Sequence, residues 1–389
     1  MFDTLIKNGT IIDGDKTPRY RADVAINGDQ VVQIGDFSDA DARQVIDATG
    51  KMIAPGFVDT HNHSDGWLLK VPYLVSKTTQ GFTSEVIMAD GISYAPLAPH
   101  TAHDWIYYMR TLNAITFEEY TGWQTLAEYM ALLDGTNVQN SITHIPYANV
   151  RTLAFGGTGG WGQLPPDDYQ MSLILREMEM GMEAGAVGVS TGLDYVAQFF
   201  ATTDELVEAC APLVEKQGLY VTHVRYKKGT LAGVQEAVEI GKRAGIPVHI
   251  SHFKGTTPQE VDELLTYVDT VATQEVDFSF DVYPYLPGST MLNYLLPYEV
   301  WTDGPLGVIR HLKRPDIRQQ FTHSLQQLPL DATHIAWVGG KDNHHHQGKM
   351  LSTYIAERGM SAGDAMADLL IEENLAVLLV ISKGAEHDT

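Results

Sequence analysis

The chain has 389 residues, 44% of them hydrophobic and 19% charged, with a formal net charge of −23 at pH 7. That length and composition suit a globular enzyme with a large core, either one big domain or a domain with an appendage. The acidic balance argues against nucleic acid and anionic membrane surfaces as partners, because the phosphates of both would repel it.

The first residues carry no basic-then-apolar leader, and no run of about 18 apolar residues follows, so neither export nor membrane spanning is expected. Residues 1–54 read as a small β-sandwich subdomain of short strands and tight turns. Asn8-Gly9 and Asn27-Gly28, each flanked by apolar residues, are two-residue hairpin signals. The apolar run Met52 to Val58 then climbs into Asp59-Thr60-His61-Asn62-His63. Side chains two apart on a strand share a face, so His61 and His63 can meet one ion, and neutral imidazole is a good zinc ligand.

From residue 55 to 389 the pattern becomes short apolar strands alternating with longer helical stretches, the signature of β-α units. Strands are expected at 56–61, 83–88, 142–147, 186–190, 219–224, 248–252 and 278–283, with helices near 167–184, 203–217, 230–244 and 258–273. This rhythm favours a (β/α)8 barrel over a doubly wound sheet, and no Gly-x-Gly-x-x-Gly follows its first strand. Insertions lie near 98–135, rich in aromatic residues placed to cover the barrel mouth, and near 286–345. Leu375 to Ile381 reads as an inserted strand or an alternative eighth. The glycine-rich loop 155–162 lacks the Gly-Lys-Ser/Thr of a phosphate cradle. Cys210, the single cysteine, falls within a helical pattern and reads as a small buried residue. An intrachain disulfide is excluded, and a reducing cytoplasm is the expected setting.

Two strands end in histidine: Leu219 to His223, and, one β-α repeat on, Val248 to His252. Both imidazoles are expected at the carboxyl end of adjacent strands, where barrel enzymes carry their sites. His249 has the opposite parity and is expected to face the helical layer. With His61 and His63, His223 and His252 make a convergent metal site. Asp90, closing the second strand, supplies an anionic ligand able to bridge two ions. Asp65 is placed to hydrogen-bond a ligating histidine. His344-His345-His346 reads as solvated surface.

These motifs resemble the amidohydrolase superfamily, in its D-aminoacylase (N-acyl-D-amino-acid deacylase) branch. The likeness runs from Leu5-Ile6-Lys7-Asn8-Gly9 through Ala54-Pro55-Gly56-Phe57-Val58-Asp59-Thr60-His61-Asn62-His63, Gly91-Ile92-Ser93-Tyr94-Ala95-Pro96 and Gly188-Val189-Ser190-Thr191-Gly192-Leu193. It continues in Ser251-His252-Phe253-Lys254 and Asp281-Val282-Tyr283-Pro284-Tyr285. It implies a barrel with a β-sandwich built from both chain ends. It also implies Zn2+ held after strand two and by His223 and His252, with His61 and His63 at a second, weaker metal position. Lys254 and Tyr283 or Tyr285 would hold the substrate carboxylate, while Arg225 would either assist them or brace its loop. The implied reaction is amide hydrolysis of a small-molecule N-acyl amino acid; oligomeric state, a homo-oligomer included, is left open.

Two departures stand out. Asp90 occupies the place where the branch usually has a cysteine ligand, and the branch's catalytic aspartate, which ends strand eight, has no counterpart before Thr389. Asp388 does not match its setting, so no catalytic residue is assigned and the chain is expected to be the front portion of an enzyme. Two alternatives follow. One is a cyclic-amide hydrolase of hydantoinase or dihydroorotase type, disfavoured because strand four, Ala186 to Ser190, lacks the lysine such enzymes carboxylate. The other is a catalytically silent metal-binding barrel.

Overall fold

A computed structural model describes residues 1–113, 115–157, 159–326 and 328–382. Thr158 of the glycine-rich loop and the terminal stretch containing Asp388 lie outside the described residues. The chain divides into two compact units, residues 1–58 with 79–83, and residues 59–78 with 84–389.

The first unit is one five-stranded sheet. Strands β1 (Phe2–Ile11), β2 (Tyr20–Asn27), β3 (Gln30–Gly35) and β4 (Ala42–Asp47) lie in the order β3-β2-β1-β4, and β5 (Met52–Ile53) pairs with β1. Asn27-Gly28 does turn the chain: β2 and β3 pair antiparallel across it, with Gly28 at φ +57°. Asn8-Gly9 does not. There β1 runs straight on through a bulge, with Asn8 at φ +65° and its amide bonded to the Asp23 carboxylate at 2.8 Å. An Asn-Gly pair serves a bulge as readily as a turn, because both need a residue in the left-handed region.

Strands β6 (Phe57–Asp59), β7 (Phe82–Ile87) and β8 (Asn140–Thr143) form one sheet. Strands β9 (Ile145–Pro146), β10 (Gly188–Gly192), β11 (Leu219–His223), β12 (Val248–Ile250) and β13 (Phe278–Phe280) form another, parallel throughout and in sequence order. Only His144 separates β8 from β9. Its N–H donates to Ile87 at 3.3 Å, and the carbonyl of Thr143 accepts from Val187 at 2.9 Å, so the two sheets follow on from one another.

Helices occupy the crossovers, but the one expected over 203–217 stops at Ala209 and the one over 258–273 is continuous α-helix only to Tyr267. Helix 168–183 starts at Asp167, whose carboxylate accepts from Gln170 N at 2.8 Å while the Gln170 side chain returns a bond at 2.9 Å, a reciprocal cap. Helix 230–244 ends on Gly245 at φ +75°. Within it Gly241 is required by close approach: a Cβ there would stand 2.2 Å from Val248 of β12.

Residues 286–345 carry strands of their own. β14 (Gly288–Met291), β15 (Thr333–Val338) and β16 (Val377–Ile381) make a separate antiparallel sheet with β16 at its centre. The 375–381 stretch is therefore an antiparallel strand and not an eighth member of the parallel series. Four of the aromatic residues of 98–135, Trp105, Tyr108, Trp123 and Tyr129, turn inward and belong to the buried core, whereas Phe117 is exposed. Rings of that size contribute most when fully removed from water.

Candidate metal centre

The first histidines lie just beyond a strand, not on it. β6 stops at Asp59, and Asn62 then pins the loop: its amide donates to Val86 O at 3.1 Å and its carbonyl accepts from Ser64 N at 3.0 Å. Asp90 sits in a turn where Met88, Asp90 and Gly91 all have positive φ, at +64°, +57° and +68°. The surroundings hold that strain in place, as is common at functional sites. Asp65 accepts from Met88 N (3.0 Å) and Ser93 Oγ (2.6 Å), Gly91 N donates to Ser190 Oγ (3.0 Å), and Gln198 donates to Asp90 O (2.7 Å). Asp65 thus shapes the turn that presents Asp90.

His223 is the last residue of β11, whereas His252 lies two residues past β12 at φ +40°. That left-handed residue breaks the alternation of the strand, and a parity count carried through it fails. Val248 meets the helical layer at Gly241, so His249 faces the other way. His249 bonds Asp281 at 3.0 Å and Ser279 at 2.8 Å, and Asp281 lies 3.9 Å from His61. His249 is on the site side of the sheet, opposite to the expectation.

All five expected metal ligands converge. Asp90 is buried, with Oδ1 3.7 Å from His61 Nε2 and 3.8 Å from His252 Nε2, and with Oδ2 3.4 Å from His63 Nε2 and 3.9 Å from His223 Nδ1. His223 Nδ1 and His252 Nε2 are 3.0 Å apart. Nitrogen–oxygen gaps of this size are long for hydrogen bonds, but two donors sharing one zinc at its usual bond lengths stand about 3.3 Å apart. His61, Asp90 and His252 each bring a donor atom within 4.8 Å of the others. His61 Nδ1, His63 Nδ1 and Asp90 Oδ1 are buried without a hydrogen-bond partner. Burial pushes His61 down to about 4, which leaves its imidazole neutral and able to ligate. Burial would raise the Asp90 carboxyl, but the surrounding histidines, His61 foremost, outweigh it and hold the group well below its usual range. A buried carboxylate faced by four imidazole nitrogens at 3.4 to 3.9 Å fits a divalent cation.

A family model described as the amidohydrolase family matches residues 44–289. The chain belongs to the amidohydrolase family. Among curated relatives of this amidohydrolase, a D-aminoacylase from Alcaligenes xylosoxydans xylosoxydans is 34% identical over 296 residues, covering 75% of this chain and 59% of that protein. An N-acyl-D-glutamate deacylase from the same organism is 33% identical over 295 residues, 75% and 58% of the two chains. The chain thus spans under three-fifths of the length of these relatives. A crystal structure of N-acyl-D-glutamate deacylase from Bordetella bronchiseptica, complexed with zinc and a phosphonate mimic of the tetrahedral intermediate, superposes with a TM-score of 0.78 at 27% identity. The match covers 98% of this chain and 71% of that one. The second unit is accordingly a TIM-barrel-like α/β domain. No helix among the described residues is long and apolar enough to cross a membrane.

The remaining expected residues of this amidohydrolase divide. Lys254 Nζ lies 4.8 Å over the ring of Tyr226, whose hydroxyl is 3.2 Å from His252 Nδ1. Tyr283 and Tyr285 stack on each other at 4.9 Å beyond β13, and Tyr285 is exposed. Arg225 is buried and fully engaged: Nε donates to Glu236 at 2.8 Å, and the other nitrogens donate to the carbonyls of Leu193, Phe199 and Ala201. It braces the 193–201 loop, a segment other than its own. His346 is buried against His345 and Tyr354 and is not solvated surface. Cys210 is buried, and burial pushes its thiol up to about 12, so it is inert.

Sequence reasoning missed Asp194, Tyr195, Tyr226 and Asp281. Tyr195 donates to Asp90 Oδ2 at 3.2 Å, and Asp281 accepts from His252 N at 2.6 Å. Their one signal was position, each lying within a few residues of a strand end.

Proposed function

We propose that this amidohydrolase hydrolyses the amide bond of N-acyl amino acids, of D configuration by preference, with Zn2+ or another divalent ion, releasing a carboxylate and a free amino acid. The observation that carries this reading is the closure of His61, His63, His223 and His252 around the buried Asp90. When bound, the ion acidifies a water and polarises the scissile carbonyl. Asp90 has His61 and His252 toward one oxygen and His63 and His223 toward the other, and together these five residues would hold the ion or ions in a harder site than a thiolate would make. Lys254, with Tyr283 or Tyr285, is assigned to the free carboxylate of the substrate; a lysine there acts as a point charge and leaves the fine geometry to the phenol.

The cyclic-amide alternative finds no lysine on β10, which reads Gly188-Val189-Ser190-Thr191-Gly192. The test pairs metal analysis with turnover of N-acetyl-D-methionine and its L enantiomer, by the purified chain and by a form extended at its C-terminus with the segment that carries the family aspartate. Stoichiometric zinc in both forms, with selective D turnover in the extended one, is the expected result. Zinc with no turnover of either enantiomer by the extended form would leave a metal-binding module, and failure to bind any divalent ion would end the proposal.

A further inference from the structure

The two strand-end histidines approach the centre through opposite ring nitrogens. His223 turns Nδ1 toward Asp90 and His252, whereas His252 turns Nε2. What stands behind each ring differs. Behind His252 is the neutral Tyr226 hydroxyl, 3.2 Å from Nδ1, which also donates to the carbonyls of Ser251 at 3.0 Å and His252 at 3.1 Å. Behind His223 is a carboxylate: Nε2 lies 3.3 Å from Asp194 Oδ2.

Asp194 is 1% exposed and held from several sides. The Lys227 amide donates to its two oxygens at 3.3 and 3.2 Å, the Tyr294 hydroxyl donates to Oδ2 at 3.3 Å, and the Tyr298 hydroxyl donates to its backbone carbonyl at 2.7 Å. Tyr294 and Tyr298 come from the segment just after β14, far along the chain, so that segment serves the barrel rim from outside. An ionised carboxylate only accepts hydrogen bonds, so a His223 Nε2 beside it carries the proton and Nδ1 keeps its lone pair.

We propose that Asp194 is a positioning residue that locks His223 in its Nε2–H form, with the Nδ1 lone pair aimed at the ion, and that Tyr294 anchors Asp194 for this task. The inference rests on the reading of His223 as a metal ligand. Such a partner orients the ring and raises its basicity as a ligand, more strongly for an anionic carboxylate than for the neutral phenol behind His252.

The test compares wild type with Asp194→Asn, Tyr294→Phe and His223→Ala, measuring zinc affinity against a chromogenic chelator and the His223 tautomer by 15N NMR of the metal-free protein. Wild type should show the Nε2–H tautomer. In Asp194→Asn the tautomer should become mixed and zinc affinity should fall by about 10- to 100-fold. Tyr294→Phe keeps the charge and removes one hydrogen bond; it should give a smaller fall and a partly mixed tautomer, and it serves if Asp194→Asn does not fold. Wild-type affinity and an unchanged tautomer in the folded Asp194 variant, or in Tyr294→Phe where that variant must stand in, overturn the inference. His223→Ala separates the two claims: if it binds zinc as wild type does, the metal reading fails. If it loses zinc while Asp194→Asn loses nothing, only the role of Asp194 falls.

Discussion

Two buried charged clusters lie in the same domain and behave in opposite ways. Arg151, fully buried, uses Nε on Glu205 (2.8 Å) and its other nitrogens on the carbonyls of Gly160 (3.2 Å) and Leu164 (2.7 Å), and Tyr147 adds a bond to Glu205 at 2.6 Å. Its charge is neutralised and its donors are spent, so it has nothing to offer a ligand. Around Asp90 the histidines are a little more open, at 16% exposure for His61 and 19% for His63 against 0% for Arg151. Four ring nitrogens stand 3.4 to 3.9 Å from the Asp90 carboxylate, long for hydrogen bonds. Asp90 Oδ1 has no partner, but neither has one oxygen of Glu205, so an orphaned atom does not separate the two clusters. Convergence does: Arg151 is spent on fixed carbonyls, whereas four imidazoles face one carboxylate at a spacing that suits a shared cation.

The comparison breaks most directly at Asp90. Asp90→Ala should abolish stoichiometric zinc binding while the circular dichroism of the fold persists; full metal occupancy in that variant would show that the two clusters do not differ in kind. Arg151→Ala should do the reverse, costing about 3–5 kcal/mol of stability by leaving Glu205 buried without its partner. Urea unfolding measures that loss, and zinc affinity of the folded fraction should stay at its wild-type value. Zinc itself should stabilise: at a concentration of a hundred times Kd, mass action adds about 2.7 kcal/mol. The corresponding rise in Tm should vanish in His252→Ala and survive in a stably folded Arg151 variant.

Acid sharpens the contrast further. Burial pushes His144 down to about 3 from an ordinary 6.5. The unfolded chain therefore binds a proton that the native chain refuses between those values, and stability of the metal-free protein falls as pH drops through that window. His144 contributes at most about 1.4 kcal/mol per pH unit. His144→Gln should flatten the urea midpoint against pH by that share, and an unchanged slope would contradict its burial as a neutral ring. The smallest effect is expected at Lys254. Lys254→Ala should raise KM for an N-acyl amino acid roughly tenfold through loss of one charged hydrogen bond, with zinc content unchanged.

The amino-acid sequence alone determined the parallel β-α rhythm, because apolar runs of strand length alternating with amphipathic helical stretches admit few other arrangements. It also picked out the five residues that converge at the candidate metal centre, because histidines and an aspartate near strand ends are chemistry that local spacing displays. Tertiary structure alone decided the rest. The left-handed turn at His252 reversed the face of His249, and the Asn8-Gly9 pair became a bulge where its twin became a hairpin. Arg225 proved to be a brace because carbonyls from another loop happened to surround it. Asp194 entered the site only when Tyr294 and Tyr298, a hundred residues on, folded back over it. Positive-φ turns and long-range hydrogen bonds depend on which segments meet, and no local pattern records that meeting.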